Sequence, residues 1–156
     1  MNHFLFVSVA FAVGTSSPAF AQSCANPIEI TFAGLLSGNT CNSTNQLPYL
    51  ANGAITSLDN QDIYHLRVGD GTGIQLTLRP AAGLDGTLFA CRNTCSASAS
   101  CVAAADNGGA GAQETVELPP GPGDYYIVVG SVVSDSTVSD CGTYELYVAA
   151  PLDSAH

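Results

Sequence analysis

The sequence predicts an all-β domain, and we expect a β-sandwich or jelly roll of about eight strands. Two observations lead to this fold class. Short runs rich in β-branched and aromatic residues recur between clusters of turn-forming residues, and no window follows the helical period of about 3.6 residues. The six cysteines are an even number in a chain that begins like an exported protein, which favours three disulfide bonds.

Residues 1–21 are predicted to be a secretory signal peptide. An apolar run from Phe4 to Val13 is followed by Pro18 and by Ala19-Phe20-Ala21, the small-x-small pattern that signal peptidase cleaves. No Lys or Arg precedes the run, unlike most signal peptides, and the alternative is a buried N-terminal strand. Cleavage leaves residues 22–156 as one domain, which we expect to be soluble and either secreted or periplasmic.

The charge balance argues against two classes of partner. The chain has 13 Asp and Glu against 3 Lys and Arg, a formal net charge of −10. Nucleic acids and anionic membrane surfaces both require a basic face. We therefore expect neither as a partner.

Eight strands are predicted in order along the chain. They are Ile28–Phe32, Ala54–Ser57, Ile63–Val68, Ile74–Arg79, Thr87–Cys91, Thr115–Leu118, Tyr125–Val133 and Thr143–Ala149. Turn formers such as Asn52-Gly53 and Asp106-Asn107-Gly108-Gly109 separate them. The period-2 alternation sends one set of side chains to the core: Ile74, Leu76, Leu78, Tyr125, Ile127, Val129, Tyr144, Leu146 and Val148. The intervening side chains are expected to point away: Gln75, Thr77, Tyr126, Val128, Glu145 and Tyr147.

Six cysteines allow about fifteen pairings. We favour Cys24 with Cys41, Cys95 with Cys101 across a Ser/Ala loop, and Cys91 with Cys141. Two alternatives are weaker. A zinc site at Cys91, Cys95 and Cys101 lacks a fourth ligand, and a lipid anchor at Cys24 would leave an odd thiol.

Four segments in order resemble the bacterial pre-peptidase C-terminal domain. They are Ala54-Ile55-Thr56-Ser57, Asp59-Asn60-Gln61-Asp62-Ile63-Tyr64, Gly123-Asp124-Tyr125-Tyr126-Ile127-Val128-Val129 and Gly142-Thr143-Tyr144-Glu145-Leu146-Tyr147-Val148. The run Ile74-Gln75-Leu76-Thr77-Leu78 and the turn before Glu114 also fit, so the resemblance spans residues 24–149. It implies a β-sandwich module that accompanies secreted proteases and other exported enzymes. Related modules bind collagen or polysaccharide, and some hold calcium. We expect this chain to have no attached catalytic domain, unlike the usual arrangement, and it also differs in its six cysteines.

The residues that catalysis would require are not arranged for it. His65 is predicted to point outward beside Arg67, and no Gly-x-Ser-x-Gly elbow occurs. Glu114 and Glu117 are an odd number apart on a predicted strand, so they should lie on opposite faces. Asp59 and Asp62 lie in a turn, where Asp commonly bonds backbone amides. We therefore expect that the protein is not an enzyme.

Calcium is the ion that best suits the acidic loops. Asp59, Asp62, Asp106 and Asn107 offer oxygen ligands that would converge at one end of the sandwich. The alternative interpretation is that these side chains cap turns.

An exposed sheet face is the favoured binding site. Tyr126 and Tyr147 are expected to face outward on neighbouring strands, with Val128 and Glu145 between them. The sequence therefore predicts a secreted, non-catalytic module for polysaccharide or an extracellular protein. The alternatives are a partner of an exported protease or other hydrolase, and a small secreted hydrolase.

Overall fold

The computed structural model describes residues 23–44, 47, 49–50, 55–56, 60–69, 73–95, 101–132 and 141–149. The predicted signal peptide lies outside these residues, so it stays a prediction. Among the described residues, no helix has the length and apolar character that crossing a membrane requires.

Eleven strands lie in these ranges, and nine of them form two sheets. The strands are β1 Ile28–Ile30, β2 Gly34–Asn39, β3 Tyr49–Leu50, β4 Ile55–Thr56, β5 Asp62–Val68, β6 Gln75–Pro80, β7 Gly86–Arg92, β8 Cys101–Ala105, β9 Glu114–Glu117, β10 Gly123–Ser131 and β11 Thr143–Val148. Sheet A has the order β1-β5-β10-β7-β8, and sheet B has the order β2-β11-β6-β9. Strands β3 and β4 pair with each other. The predicted all-β sandwich is confirmed.

Seven predicted strands match observed ones to within two residues at each end, and the eighth contains β4. Strands β2, β3 and β8 were not predicted. Strand β2 has the sequence GLLSGN, with two glycines and a serine, and β8 is mostly alanine. Strand β2 has no β-branched or aromatic residue and β8 has only Val102, so tertiary pairing decides both.

The main core lies between the two sheets. Every core position predicted by alternation is buried, with exposures from 0% to 8%. Sheet A contributes Tyr64, Leu66, Leu88 and Ala90 beside the predicted residues of β10, and sheet B contributes Val116. The alternation of apolar residues therefore brings the two sheets face to face.

A buried polar network joins the two sheets inside this core. The Tyr144 hydroxyl of sheet B donates to Asp62 Oδ2 of sheet A at 2.5 Å, and the Tyr64 hydroxyl lies 2.7 Å from that of Tyr144. The Ser43 hydroxyl donates to the other Asp62 oxygen. Burial, the largest cause, raises the pKa of Tyr64 to about 12 and also raises that of Tyr144. Both phenols therefore stay protonated and donate.

The Tyr144 ring explains a glycine in β2. A Cβ at Gly38 would overlap the Tyr144 ring, which crosses over this position on the inner side of sheet B. Gly38 therefore makes room for the buried phenol and at the same time lowers the strand propensity of β2.

All six cysteines form disulfides, but the three predicted pairings are wrong. The bonds are Cys24–Cys95, Cys41–Cys141 and Cys91–Cys101. Strands β7 and β8 place Cys91 opposite Cys101, and the β2–β11 register brings Cys41 towards Cys141. Two of the pairings thus depend on strands that the sequence did not indicate.

Candidate functional site

The outer face of sheet A is covered by the chain itself. Leu47, Ile63, Phe89, Cys91 and Val128 form a second buried cluster there, and Tyr126 packs against it. Val128 points away from the main core as predicted, but it is 0% exposed, so its predicted place in an exposed patch is wrong. The alternation gave the correct side of the sheet but could not show that Leu47 would cover it.

Gln61 holds this cover in place through its side-chain amide. The Leu47 N–H donates to Gln61 Oε1 at 2.9 Å, and Gln61 Nε2 donates to the Leu47 carbonyl at 2.7 Å. The amide mimics a backbone partner and satisfies both polar groups of Leu47 inside the cluster.

Charged groups occupy the β1 end of the same outer face. His65 Nδ1 lies 2.8 Å from Glu29 Oε2, and His65 Nε2 lies 3.2 Å from Asp124 Oδ1. Arg67 Nε donates to the same Asp124 oxygen at 3.0 Å, and this bond is the main reason that the pKa of Asp124 is lowered. The ring of Tyr126 is tilted against that of His65, 5.2 Å between centroids. His65 is thus held between two carboxylates on the outer side of β5, as its predicted outward direction requires.

The outer face of sheet B presents exposed side chains on β2 and β11, while Thr77 on β6 is 7% exposed. Tyr147 is 43% exposed, and Leu35 on the neighbouring edge strand is 49% exposed. The strand register places Leu35, Tyr147 and Thr77 in one row across the sheet. The next row contains Glu145 and Arg79, both exposed. This row pattern makes a flat surface with an aromatic ring, an apolar neighbour and charged hydrogen-bonding groups.

A shallow depression of about 460 Å³ lies at the Thr143 end of β11. Its lining includes Arg79, Thr143 and Glu145. Arg79 Nε donates to Gln113 Oε1 at 3.4 Å, a long bond that leaves most of the guanidinium available. The depression therefore offers donors and an acceptor, and its Glu145 is two residues before the exposed Tyr147 on β11.

The expected pair of tyrosines is not formed. Tyr126 lies on β10 of sheet A, and Tyr147 lies on β11 of sheet B, so the two rings occupy opposite outer faces of the sandwich. Of the four predicted patch residues, Tyr147 and Glu145 share an exposed face, whereas Tyr126 is half-buried and Val128 is buried. Leu35 and Arg79 were missed. For Leu35 the reason is that β2 was not predicted.

The predicted calcium ligands do not converge. Across sheet A, Asp62 is opposite Val129, Val129 is opposite Leu88, and Leu88 is opposite Ala105, the residue before Asp106. Three strand spacings put these positions about 14 Å apart, whereas ligands of one calcium lie within about 5 Å of each other. Asp59 lies outside the described residues, among which no group of three or more His, Cys, Asp and Glu is arranged to hold a metal ion.

Asp62 and Asn107 instead serve the fold. Asp62 is 1% exposed and accepts the hydroxyls of Ser43 and Tyr144 rather than backbone amides. Asn107 donates from its backbone at 2.9 Å and from its side chain at 3.2 Å to the buried Glu114, which also accepts from Gly108. Burial is the main cause of the raised pKa of Asp106, and the charges of Asp85 and Glu114 add to it.

Glu114 and Glu117 lie on opposite faces of β9, as predicted. Glu114 is 1% exposed and fixes the turn before it, while Glu117 is exposed on the outer face of sheet B. The two carboxyl groups therefore do not flank a common substrate position, which a glycosidase pair must do.

Comparison with solved structures places this sandwich in a known class of fold. The pre-peptidase C-terminal domain of a collagenase from Bacillus anthracis superposes with a TM-score of 0.52 and 17% identity, covering 86% of this chain and 100% of that domain. The chain thus has the fold of a pre-peptidase C-terminal domain, as the resemblance implied. No family model and no curated protein matches the chain.

Two further solved structures are similar at lower scores. A periplasmic inhibitor of g-type lysozyme from Aeromonas hydrophila has a TM-score of 0.47 and 16% identity over 79% of this chain and 94% of that one. A surface-associated copper-binding protein of Methylomicrobium album has a TM-score of 0.49 and 9% identity over 84% of this chain and 100% of that one.

Proposed function

We propose that the protein is a secreted, non-catalytic binding module that takes a polysaccharide chain on the outer face of sheet B. One observation carries the proposal. Tyr147 presents a ring that is 43% exposed on a flat sheet surface, while the equivalent face of sheet A is buried under the chain. Pre-peptidase C-terminal domains are accessory modules, and this fold agrees with a role in attachment rather than catalysis.

The chemistry around Tyr147 suits a sugar. A pyranose ring has apolar C–H faces that stack on an aromatic ring, and equatorial hydroxyls that project sideways. Glu145 and Arg79, side by side in the next row, supply an acceptor and a donor for such hydroxyls. Leu35 extends the apolar row towards the sheet edge, where it would contact the next sugar unit.

The charge of the molecule selects among polysaccharides. The net charge is −10, and two of the three arginines, Arg67 and Arg92, lie on sheet A. Arg79 beside Glu145 does not make the open face basic. We therefore propose a neutral polysaccharide, because an anionic one would be repelled.

Three observations support a non-catalytic role. Both nitrogens of His65 contact carboxylates, Asp62 is enclosed in the core, and Glu114 is bound by a turn. A general base must reach the proton it removes, and these groups point at neighbours in the protein.

Retention on insoluble cellulose and chitin, measured for the oxidised protein, tests the proposal. Tyr147→Ala should lower retention about tenfold, the loss of one stacking contact. Val102→Ala is the matched control, because Val102 is 49% exposed but belongs to sheet A, and it should be retained like the unmodified protein. Equal retention of both variants would contradict the assigned face, and retention on collagen alone would contradict the ligand class.

A further inference from the structure

Strand β2 is an edge of sheet B that lacks the features protecting the other edges. Among the described strands it pairs with β11 alone, and its six residues include no charge and no proline. The β9 edge has two glutamates and is followed by Pro119 and Pro120, while β1 has three residues, one of them Glu29, after Pro27. The β8 edge has an irregular register between Cys101 and Ala103. Charges, prolines, shortness and bulges are how sheet edges avoid pairing with other chains, and β2 has none of them.

The hydrogen-bond pattern shows which groups of β2 face outward. The Thr40 N–H donates to the Gly142 carbonyl at 3.0 Å, just beyond the end of the β2–β11 ladder. Paired and unpaired positions alternate along antiparallel strands. Leu36 and Gly38 therefore bond β11, whereas the N–H and C=O groups of Leu35 and Ser37 and the N–H of Asn39 point away from the sheet. The Asn39 C=O accepts the first bond of the short 3-10 helix Thr40–Asn42, for which Asn39 is the N-cap.

We propose that two copies of this chain pair antiparallel through β2, around a two-fold axis that passes Ser37 perpendicular to the sheet. In this register Leu35 is opposite the partner's Asn39, and Ser37 is opposite the partner's Ser37. The outward N–H groups of all three residues and the outward C=O groups of Leu35 and Ser37 then have partners, and the Asn39 C=O accepts a second bond beside that of its helix. The strand is self-complementary, which an isologous interface requires.

Side chains and charges agree with this register. On the inner side Leu36 is opposite the partner's Gly38, so two large side chains do not meet. The nearest described charge on the pairing row, Glu145 opposite Ser37 on β11, is three strand spacings from the partner's Glu145. That separation of about 14 Å exceeds the Debye length of about 8 Å at physiological salt, so the net charge of −10 per copy is screened at this edge.

The dimer would have one continuous sheet of eight strands. A two-fold axis perpendicular to the sheet keeps both outer faces on the same side, so the two Tyr147 rings point in one direction. If the face binds polysaccharide as proposed above, the pair becomes bivalent for a chain or surface. This consequence rests on the proposed function, but the dimer itself does not, and it is measured without any ligand.

Sedimentation equilibrium over a concentration series tests the pairing. The oxidised protein should show a reversible equilibrium of monomer and dimer. Ser37→Pro removes an outward N–H and no bond to β11, so it should raise the dissociation constant at least about tenfold. Thr115→Pro is the matched control: Leu118 N–H bonds the Ile74 carbonyl, so by alternation Thr115 N–H faces outward on the opposite edge of the same sheet. This variant should dimerise like the unmodified protein.

Amide hydrogen exchange keeps the proposal falsifiable if Ser37→Pro does not fold. The amides of Leu35, Ser37 and Asn39 should gain protection as the protein concentration rises, while those of Leu36 and Gly38 are protected at every concentration. A monomer at all concentrations, or assemblies larger than a dimer, would overturn the proposal. So would protection of the three odd-numbered amides that does not depend on concentration, or that arises only when a different protein is added.

Discussion

On sheet A, the outward side chains of β5, β7 and β10 include Ile63, Phe89 and Val128, and all three are 0% exposed. On sheet B, the outward side chains of β2 and β11 include Leu35 and Tyr147, which are about half exposed. Both sheets follow the same period-2 alternation. The difference is that Leu47 and the disulfide-bonded Cys24 and Cys95 pack on the outer face of sheet A, whereas the described residues form no such cluster on the outer face of sheet B. A strand pattern therefore specifies which way a side chain points, and the rest of the chain decides whether a ligand can reach it.

The largest expected effect contrasts one aromatic residue on each outer face. Phe89→Ala should lower the free energy of unfolding by about 3–5 kcal/mol, because it opens a cavity in the covered cluster. Tyr147→Ala should cost less than about 1 kcal/mol, the range of exposed strand positions. Urea denaturation of both variants under oxidising conditions measures the difference. Similar losses would mean that the two faces do not differ in burial.

The network inside the core gives the next effect. Tyr144→Phe removes the donor to the buried Asp62 carboxylate and should cost about 3 kcal/mol. Tyr64→Phe removes only the end of the chain of hydroxyls and should cost about 1 kcal/mol. Denaturation midpoints with equal slopes would check this order, and a larger loss for Tyr64→Phe would show that the network is organised differently.

A smaller effect is expected from the hydrogen bonds that hold Leu47 on the outer face of sheet A. Gln61→Ala leaves the buried N–H and C=O of Leu47 without partners and should cost about 1–3 kcal/mol. Gln75→Ala is its counterpart on the open face and should change stability by less than about 0.5 kcal/mol. Thermal unfolding of both variants at one pH measures the two losses of stability. Equal losses would contradict the role of Gln61 in holding Leu47.

The smallest effect concerns the charged groups at the β1 end of sheet A. The folded-state pKa of Asp124 is lowered, chiefly by its bond to Arg67. Its contribution to stability is therefore complete above the ordinary Asp pKa of about 3.9 and is lost as the pH falls through the lower folded-state value. Below about pH 4 the unmodified protein should lose stability more steeply than Asp124→Asn. Arg67→Gln should behave like Asp124→Asn. If both variants lost stability below about pH 4 as steeply as the unmodified protein, the bond between Asp124 and Arg67 would not be the cause.

Much of the fold could be predicted because its inner residues alternate strictly. Tyr144, Leu146 and Val148 show the pattern of one buried face, and so do Ile74, Leu76 and Leu78. Two of the four edge strands, β2 and β8, could not be found in this way. Strand β2 needs Gly38 to admit the Tyr144 ring, so its composition is that of a turn, and β8 consists mostly of small residues. Two of the three disulfide pairings depend on these strands, so the sequence pattern could not predict them.

The candidate site was predicted in part, for a related reason. Tyr147 and Glu145 were assigned to an outward face by alternation alone, and they lie on one. Tyr126 and Val128 have the same local signal, but their strand belongs to the other sheet, and Leu47 covers Val128 from about 80 positions away in sequence. The local sequence pattern does not show to which sheet a strand belongs. It also does not show which distant segment packs over that strand.

The amide spectrum of the oxidised protein, recorded during titration with a soluble oligosaccharide of cellulose or chitin, tests the proposed binding face of sheet B most directly. We predict that shift changes concentrate on Leu35, Thr77, Arg79, Glu145 and Tyr147, and that the amides of Ile63, Phe89 and Val128 do not move. Changes centred on Tyr126 and His65, or none at all with either sugar at saturation, would contradict the assignment of the open face of sheet B as the binding site.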